Sequence, residues 1–141
     1  MTMAAFEEIQ VGQKACLRRV IREEDVVAFA EATGDRNPVH FDDDYAARTP
    51  FKGRIVHGML TAGLISALLA GELPGPGTIY LEQHLRFLQP VRIGDAITAE
   101  VEVLEKMEER RRLRLRTTCR KADGSPVLDG EAVVLIPQLA R

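Results

Sequence analysis

The feature of this sequence that most constrains its fold is a long apolar segment near the middle of the chain. In residues 57–69, apolar or small side chains fall on every face of a helix. A helix without a polar face is expected to be buried on all sides. The sequence Leu-Pro-Gly-Pro-Gly at 73–77 then ends the helix. The rest of the chain must therefore supply a layer that wraps around it.

The chain after residue 77 shows the alternation of apolar and polar residues that is typical of β-strands. This alternation predicts four strands, over 78–88, 97–105, 111–119 and 131–136. Turn sequences separate them at 90–95 and 123–124. Before the central segment we expect a strand, a helix and a short helical turn, over 15–21, 23–33 and 41–47.

These elements predict an α+β hot-dog fold, in which an antiparallel sheet wraps around a buried central helix. Residues 1–141 are expected to form one such domain, because a chain of this length can bury a core that folds without staples. A single unit of this kind leaves one strand edge and one flank of its helix uncovered. Two copies can close both by symmetry, so a homodimer is expected.

Charge and cysteine usage exclude several classes of partner. The net charge is −2 and the pI is about 5.9, so neither nucleic acid nor an anionic membrane is expected as a partner. The longest apolar run, around residues 59–70, is too short to cross a bilayer. Cys16 and Cys119 lie far apart, outside any C-x-x-C motif or metal-ligand spacing. This usage favours reduced thiols in a cytoplasmic protein.

A short segment carries a carboxylate and an imidazole in the sequence Gly34-Asp35-Arg36-Asn37-Pro38-Val39-His40. Gly34 favours the left-handed conformation that ends a helix, and Pro38 keeps the preceding residue out of the helical region. The loop is therefore short and rigid, and both Asp35 and His40 can face one small volume. Such a pair suits general acid–base catalysis. From these residues alone, a plain turn with a surface histidine is the alternative interpretation.

Three blocks of the sequence resemble the MaoC-like (R)-specific enoyl-CoA hydratases. The blocks are Phe29…Thr33-Gly34-Asp35-Arg36-Asn37-Pro38-Val39-His40…Tyr45-Ala46, Arg54-Ile55-Val56-His57-Gly58-Met59-Leu60, and Leu85-Arg86-Phe87-Leu88-Gln89-Pro90-Val91…Gly94-Asp95. The resemblance extends over about residues 11–137, nearly the whole chain. The second and third blocks recur in thioesterases and dehydratases of the same fold, so they indicate the fold more than the activity.

The resemblance implies reversible hydration of trans-2-enoyl-CoA to (R)-3-hydroxyacyl-CoA, with an acyl-CoA as substrate and no cofactor. It implies that Asp35 takes a proton from the attacking water while His40 orients that water. We expect the backbone N–H of Gly58, at the start of the central helix, to stabilise the developing charge on the thioester oxygen. His57 is interpreted as a helix-start residue with a structural hydrogen bond. No metal is expected, because His40, His57 and His84 do not form a metal-ligand spacing.

The further candidates for binding the substrate are Asn37, Ser66, Ile65 and Leu69. Asn37 is interpreted as a turn former, with a supporting role for the catalytic loop as the alternative. The hydroxyl of Ser66, expected to be buried, needs a partner. That partner is either a main-chain carbonyl of its own helix or else Asp35 or its loop, and the sequence favours neither. The acyl tunnel is expected to end against the central helix, near Ile65, Leu68 or Leu69.

Two other classes of function remain open at this point. One is another enzyme of the same fold, either an acyl-CoA thioesterase or a 3-hydroxyacyl-thioester dehydratase acting on acyl-carrier protein. A thioesterase needs a carboxylate facing the thioester carbon, whereas the resemblance directs Asp35 and His40 to the β-carbon. The other class is a non-catalytic acyl-binding or dimerisation module, which the presence of both residues disfavours. By resemblance, the product could feed polyhydroxyalkanoate synthesis, fatty-acid oxidation or a dedicated catabolic route.

Overall fold

The protein is described by a computed structural model that covers residues 5–140. Its helices and strands, in chain order, are β1 (Lys14–Val20), α1 (Glu23–Thr33), α2 (Pro38–Phe41), α3 (Asp43–Ala47), α4 (Gly58–Gly71), β2 (Ile79–Phe87), β3 (Ala96–Met107), β4 (Arg112–Lys121) and β5 (Pro126–Leu135). Most of these bounds lie within two residues of the predicted ones.

Within residues 5–140 the strands form one five-stranded antiparallel sheet in the order β1-β3-β4-β5-β2. This confirms the predicted antiparallel sheet. Helix α4 packs against its inner face, chiefly on β3 and β4. The alternating residues Val101 and Val103 of β3 and Leu115 of β4 are fully buried, in one core cluster with Ile65 and Leu68 of α4. Strands β1 and β2 form the two edges of the sheet.

The loop between α1 and α2 has the geometry that its sequence predicts. Gly34 ends α1 with a φ of 82°, in the left-handed region, and its N–H donates to the carbonyl of Ala30. Pro38 occupies the first turn of α2, where its missing N–H does no harm. Helical structure therefore begins at residue 38, earlier than the predicted turn over 41–47, which corresponds to α3. The prediction that one loop carries both Asp35 and His40 is wrong for His40, which lies in α2 because Pro38 starts a helical turn.

Strand β5 begins five residues before its predicted start. Asp129 and Gly130 lie inside the strand, although both residue types weaken the sequence signal for a strand. The reason for the glycine is steric, because a Cβ atom at position 130 would collide with the backbone carbonyl of His84 on the paired strand β2. Only a residue without a side chain allows β2 and β5 to pair here.

Helix α4 is not buried on all sides, so that prediction is wrong for the single chain. The sheet covers one side of the helix, and the opposite side is exposed at Met59, Gly63, Ser66, Ala67 and Ala70. Except for Met59, the exposed residues are small. Small residues do not show from the sequence whether their own chain covers them. Within residues 5–140, no helix combines the length and apolar character needed to span a membrane.

Candidate active site

A cavity of about 380 Å³ lies where α4 begins, between the α1–α2 loop and the end of β2. It contains the three residues that the sequence assigns to catalysis, Asp35, His40 and Gly58. The other lining residues are mostly apolar: Phe51, Ile55, Val56, His57, Met59, Thr61, Phe87, Leu88, Gln89, Pro90, Val91, Val127 and Leu128. A few polar groups that converge in an apolar cavity are typical of a small-molecule site.

The carboxylate of Asp35 lies at the open side of this cavity, with its side chain 47% exposed. The loop holds it through local bonds. The Asp35 N–H donates to Oγ1 of Thr33 at 3.1 Å, and Oδ1 of Asp35 accepts the N–H of Asn37 at 3.3 Å. These are the side-chain turns that Asp and Thr commonly form. The remaining oxygen lone pairs are free to accept hydrogen bonds from a bound water or substrate.

His40 is nearly buried, with 8% of its surface exposed, and its ring orientation is fixed. Its Nδ1 lies 2.8 Å from the carbonyl oxygen of Ile55, which can only accept, so Nδ1 carries the hydrogen. Burial holds the pKa of His40 below its ordinary value, and the neighbouring His57 and Arg54 act in the same direction. The hydrogen bond to Ile55 and the charge of Asp35 act the other way. The neutral ring therefore presents Nε2 as a hydrogen-bond acceptor.

Two arginines hold the segment that faces His40. Nε of Arg54 donates to the backbone carbonyl of His40 at 2.7 Å, while its Nη2 lies 2.9 and 3.0 Å from the carboxylate oxygens of Glu23. Arg92 donates from Nη1 to the carbonyls of Gly53 and Arg54. Neither role could be predicted from the sequence, because a lone arginine gives no signal of a partner 14 to 39 residues away.

His57 contacts both members of the catalytic pair. It directly precedes α4, and its Nε2 lies 3.0 Å from the backbone carbonyl of Asp35. This confirms the interpretation of His57 as a helix-start residue with a structural hydrogen bond. Its ring also packs on that of His40, with centroids 3.9 Å apart and 34° between the planes. Ligand atoms of Asp35, His40 and His57 lie within 4.8 Å of one another. That spacing suits acid–base chemistry or a cation, so the expectation of no metal stays a prediction.

The backbone N–H groups of Gly58 and Met59 begin α4, and among the described residues neither has a hydrogen-bond partner. Free N–H groups at a helix N-terminus attract negative charge. Position 58 also has a steric requirement for glycine. A Cβ atom there would lie 2.7 Å from the ring of Phe87.

The chain is similar to known proteins over most of its length. The family description "MaoC like domain" matches residues 6–124, most of the chain. The chain belongs to the MaoC-like family. It is 55% identical to the 3-hydroxybutyryl-CoA dehydratase of Methylorubrum extorquens, over 94% of this chain and 84% of that protein. It is 51% identical to the (R)-specific enoyl-CoA hydratase of Rhodospirillum rubrum, over 94% of this chain and 91% of that protein.

The solved structures of MaoC-like proteins extend the comparison to the fold. The unliganded R-hydratase PhaJ1 of Pseudomonas aeruginosa superimposes with a TM-score of 0.88 at 49% identity. The match covers 99% of this chain and 92% of that one. The hot-dog architecture predicted from the sequence is thereby confirmed.

None of the predicted substrate-binding residues of this MaoC-like chain lines the cavity that holds Asp35. Asn37 caps α2, with its Oδ1 accepting the N–H of Val39 at 3.2 Å, which confirms the turn-former interpretation. Ile65 and Leu69 are buried in the core and do not line the cavity that holds Asp35. Ser66 is exposed on α4 and lines a second cavity of about 310 Å³ against β2. The expectation of a buried Ser66 hydroxyl is therefore wrong for the single chain.

Proposed function

We propose that this protein is an (R)-specific enoyl-CoA hydratase, a hydro-lyase that reversibly adds water to trans-2-enoyl-CoA and gives (R)-3-hydroxyacyl-CoA. The observation that carries the proposal is the convergence of Asp35, His40 and the N–H of Gly58 in one apolar cavity of a MaoC-like fold. Close relatives named as a dehydratase and as a hydratase support this assignment, because the two names describe the two directions of one reversible reaction.

In this mechanism Asp35 and His40 hold the attacking water between them. The carboxylate of Asp35 and Nε2 of His40 are both acceptors, so one water can donate a hydrogen to each and direct an oxygen lone pair at C3. Asp35 takes the proton as the oxygen attacks, and His40 orients the water. The protonated pair then supplies the proton that C2 gains. The loop after α1 supplies one of these acceptors, from Asp35, and the short helix α2 supplies the other, from His40.

The N–H of Gly58 is proposed as the donor to the thioester oxygen. Negative charge develops on that oxygen when the nucleophile adds to C3, and a donor fixed at a helix N-terminus stabilises it without reorganisation. Loss of one such donor typically costs about 3 kcal/mol of transition-state stabilisation. The glycine leaves open backbone for the thioester, and the ring of Phe87 limits the approach from one side.

We also propose a homodimer that covers the exposed side of α4. Met59 of α4 is 59% exposed, and Ile79, Tyr80 and Leu81 on the edge strand β2 are also exposed. An apolar helix face beside an apolar strand edge is the kind of surface that a second copy covers. Because Met59 lines both cavities, the acyl chain can pass it towards Ser66. Ile65 and Leu69, beneath this surface, are proposed to limit the chain length.

We further propose that the enzyme is cytoplasmic and supplies (R)-3-hydroxyacyl-CoA, for example to polyhydroxyalkanoate synthesis. Both cysteines are free, and one of them, Cys16, is exposed, which supports a reducing compartment. The acyl-CoA is the proposed substrate, and no separate cofactor enters the mechanism.

The proposed activity is tested by mixing the protein with crotonyl-CoA and following the ultraviolet absorbance of the enoyl thioester. Hydration removes this absorbance without releasing a thiol. Thiol release would instead indicate a thioesterase, and activity confined to crotonyl-acyl-carrier protein would indicate the carrier-protein dehydratase. No change with either substrate over a series of chain lengths would contradict the proposal and favour a non-catalytic module.

A further inference from the structure

His57 has no chemical step in the proposed reaction, yet it is almost fully enclosed within the site. Only 2% of its surface is exposed. Its ring lies between those of Phe29, at a centroid distance of 4.7 Å, and His40, at 3.9 Å, with the edge of Phe41 at 5.9 Å. A side chain enclosed in this way has one orientation, so whatever it contacts is held in place as well.

The first contact is with the backbone of Asp35. A carbonyl oxygen only accepts, so the 3.0 Å contact places the hydrogen on Nε2 of His57. Every other hydrogen bond of residues 34–37, within the described part of the chain, spans four residues or fewer. The bond from His57 is therefore the one that ties the loop of Asp35 to the rest of the fold.

The second and third contacts involve the other parts of the site. The ring of His57 packs on the ring of His40 and restricts its tilt. Position 57 also adjoins Gly58, the proposed oxyanion donor, by one peptide bond. A single buried residue thus connects the carboxylate, the imidazole and the backbone donor.

We propose that His57 is a positioning residue for hydration, which sets the carboxylate of Asp35 relative to His40 and to the N–H of Gly58 through its hydrogen bond to the Asp35 carbonyl. This inference rests on the hydratase function proposed above. Displacement of a reacting group by about 1 Å can lower a rate about 10²-fold. The expected defect lies in kcat, because His57 orients groups and is not assigned a contact to the CoA.

Two substitutions separate the ring of His57 from its hydrogen bond. His57→Phe keeps a flat ring against His40 and removes the donor. His57→Gln removes the ring and keeps an amide N–H at about the reach of Nε2. We expect His57→Phe to lower kcat about 10²-fold with little change in KM, and His57→Gln to recover at least about tenfold of that loss. His84→Phe and His84→Gln, at an exposed histidine on β2, are the matched controls.

The circular dichroism and melting temperature of each variant are measured beside its kinetics. A folded His57→Phe with kcat within about twofold of wild type would overturn the proposal, and so would a His57→Gln no better than His57→Phe. If His57→Phe does not fold, nitrogen NMR of histidine-labelled wild-type protein decides. A proton on Nε2 of His57 supports the bond, and an Nε2 without a proton makes the bond impossible. The rate of hydration by the wild-type protein tests the proposed function, and the ratio of variant kcat to wild-type kcat tests the role of His57. A failure of one proposal can therefore be distinguished from a failure of the other.

Discussion

Nδ1 of His40 lies 2.8 Å from the carbonyl oxygen of Ile55, and this contact assigns the chemistry of the ring. The hydrogen must be on Nδ1, so Nε2 is the atom that can accept a hydrogen from water. Arg54 fixes the backbone of the same histidine by donating to its carbonyl at 2.7 Å. Segment 54–55 therefore determines both the position and the tautomer of His40.

The catalytic pair is tested by Asp35→Asn and His40→Ala. Each should lower kcat about 10²–10⁴-fold, because an asparagine amide cannot take the proton of the attacking water and an alanine cannot accept its hydrogen bond. Stopped-flow or steady-state hydration of crotonyl-CoA measures the loss, and circular dichroism checks the fold. Asp43→Asn, at an exposed acid on α3, is the matched control and should leave kcat unchanged. Near-normal hydration by either folded variant of the pair would refute its assigned role.

The pH dependence follows from the lowered pKa of His40. Burial disfavours the charged ring, so its titration midpoint in the folded protein should lie below the ordinary 6.5. The unfolded chain binds this proton more readily than the folded protein does. The free energy of unfolding is therefore unaffected by His40 above about pH 6.5, and it falls as the pH drops from there through the folded pKa. Proton NMR measures the midpoint, with His40→Gln identifying the signal. A midpoint at or above 6.5 would show that burial does not dominate.

The steric role of Gly58 is tested separately from its N–H. Gly58→Ala retains the N–H but places a methyl group against the ring of Phe87. It should reduce kcat, since the ring of Phe87 or the start of α4 must shift to admit the methyl group. The free energy of unfolding should fall by less than the about 1–3 kcal/mol of an overpacked core, because Phe87 is 53% exposed. Adding Phe87→Leu should restore part of both. Urea denaturation and kinetics of the two single variants and the double variant give the coupling. If the effects of the two single substitutions simply add in the double variant, the methyl group at position 58 does not clash with the ring of Phe87.

The exposed side of α4 predicts contact with a second copy, whereas the apolar composition of the helix predicts burial within one chain. A helix buried on all sides would not tolerate Ala67→Glu, but Ala67 is exposed in the single chain. A glutamate there should fold and should weaken the proposed dimer, because the interface would bury its charge. Light scattering should give about 15.7 kDa for this variant and about twice that mass for wild type. Ala28→Glu, on the exposed side of α1, should remain dimeric.

The parts of the site that could be predicted from the sequence are the local ones. The capping preference of Gly34 predicts the end of α1, and the spacing of Asp35 and His40 predicts that both can face one small volume. Each depends on residues within a few positions of each other, where backbone conformational preferences decide the structure.

The remaining features depend on contacts between distant parts of the chain. The bonds of Arg54 to His40 and of His57 to Asp35 join residues 14 and 22 positions apart, and neither residue type indicates its partner. The small residues of α4 suit burial against the chain's own sheet as well as against another copy. Hydropathy alone cannot distinguish the two, so the exposed face around Ala67 required the structure.

The stereochemistry of hydration tests the central claim most directly. The protein is incubated with crotonyl-CoA, and the 3-hydroxybutyryl product is separated on a chiral column beside the same reaction with Asp35→Asn. We predict (R)-3-hydroxybutyryl-CoA from wild type and, from the variant at equal protein concentration, a rate lower by about 10²-fold or more. An (S) product, or an equal rate from Asp35→Asn, would contradict the assignment of Asp35, His40 and Gly58 as the site of an (R)-specific hydratase.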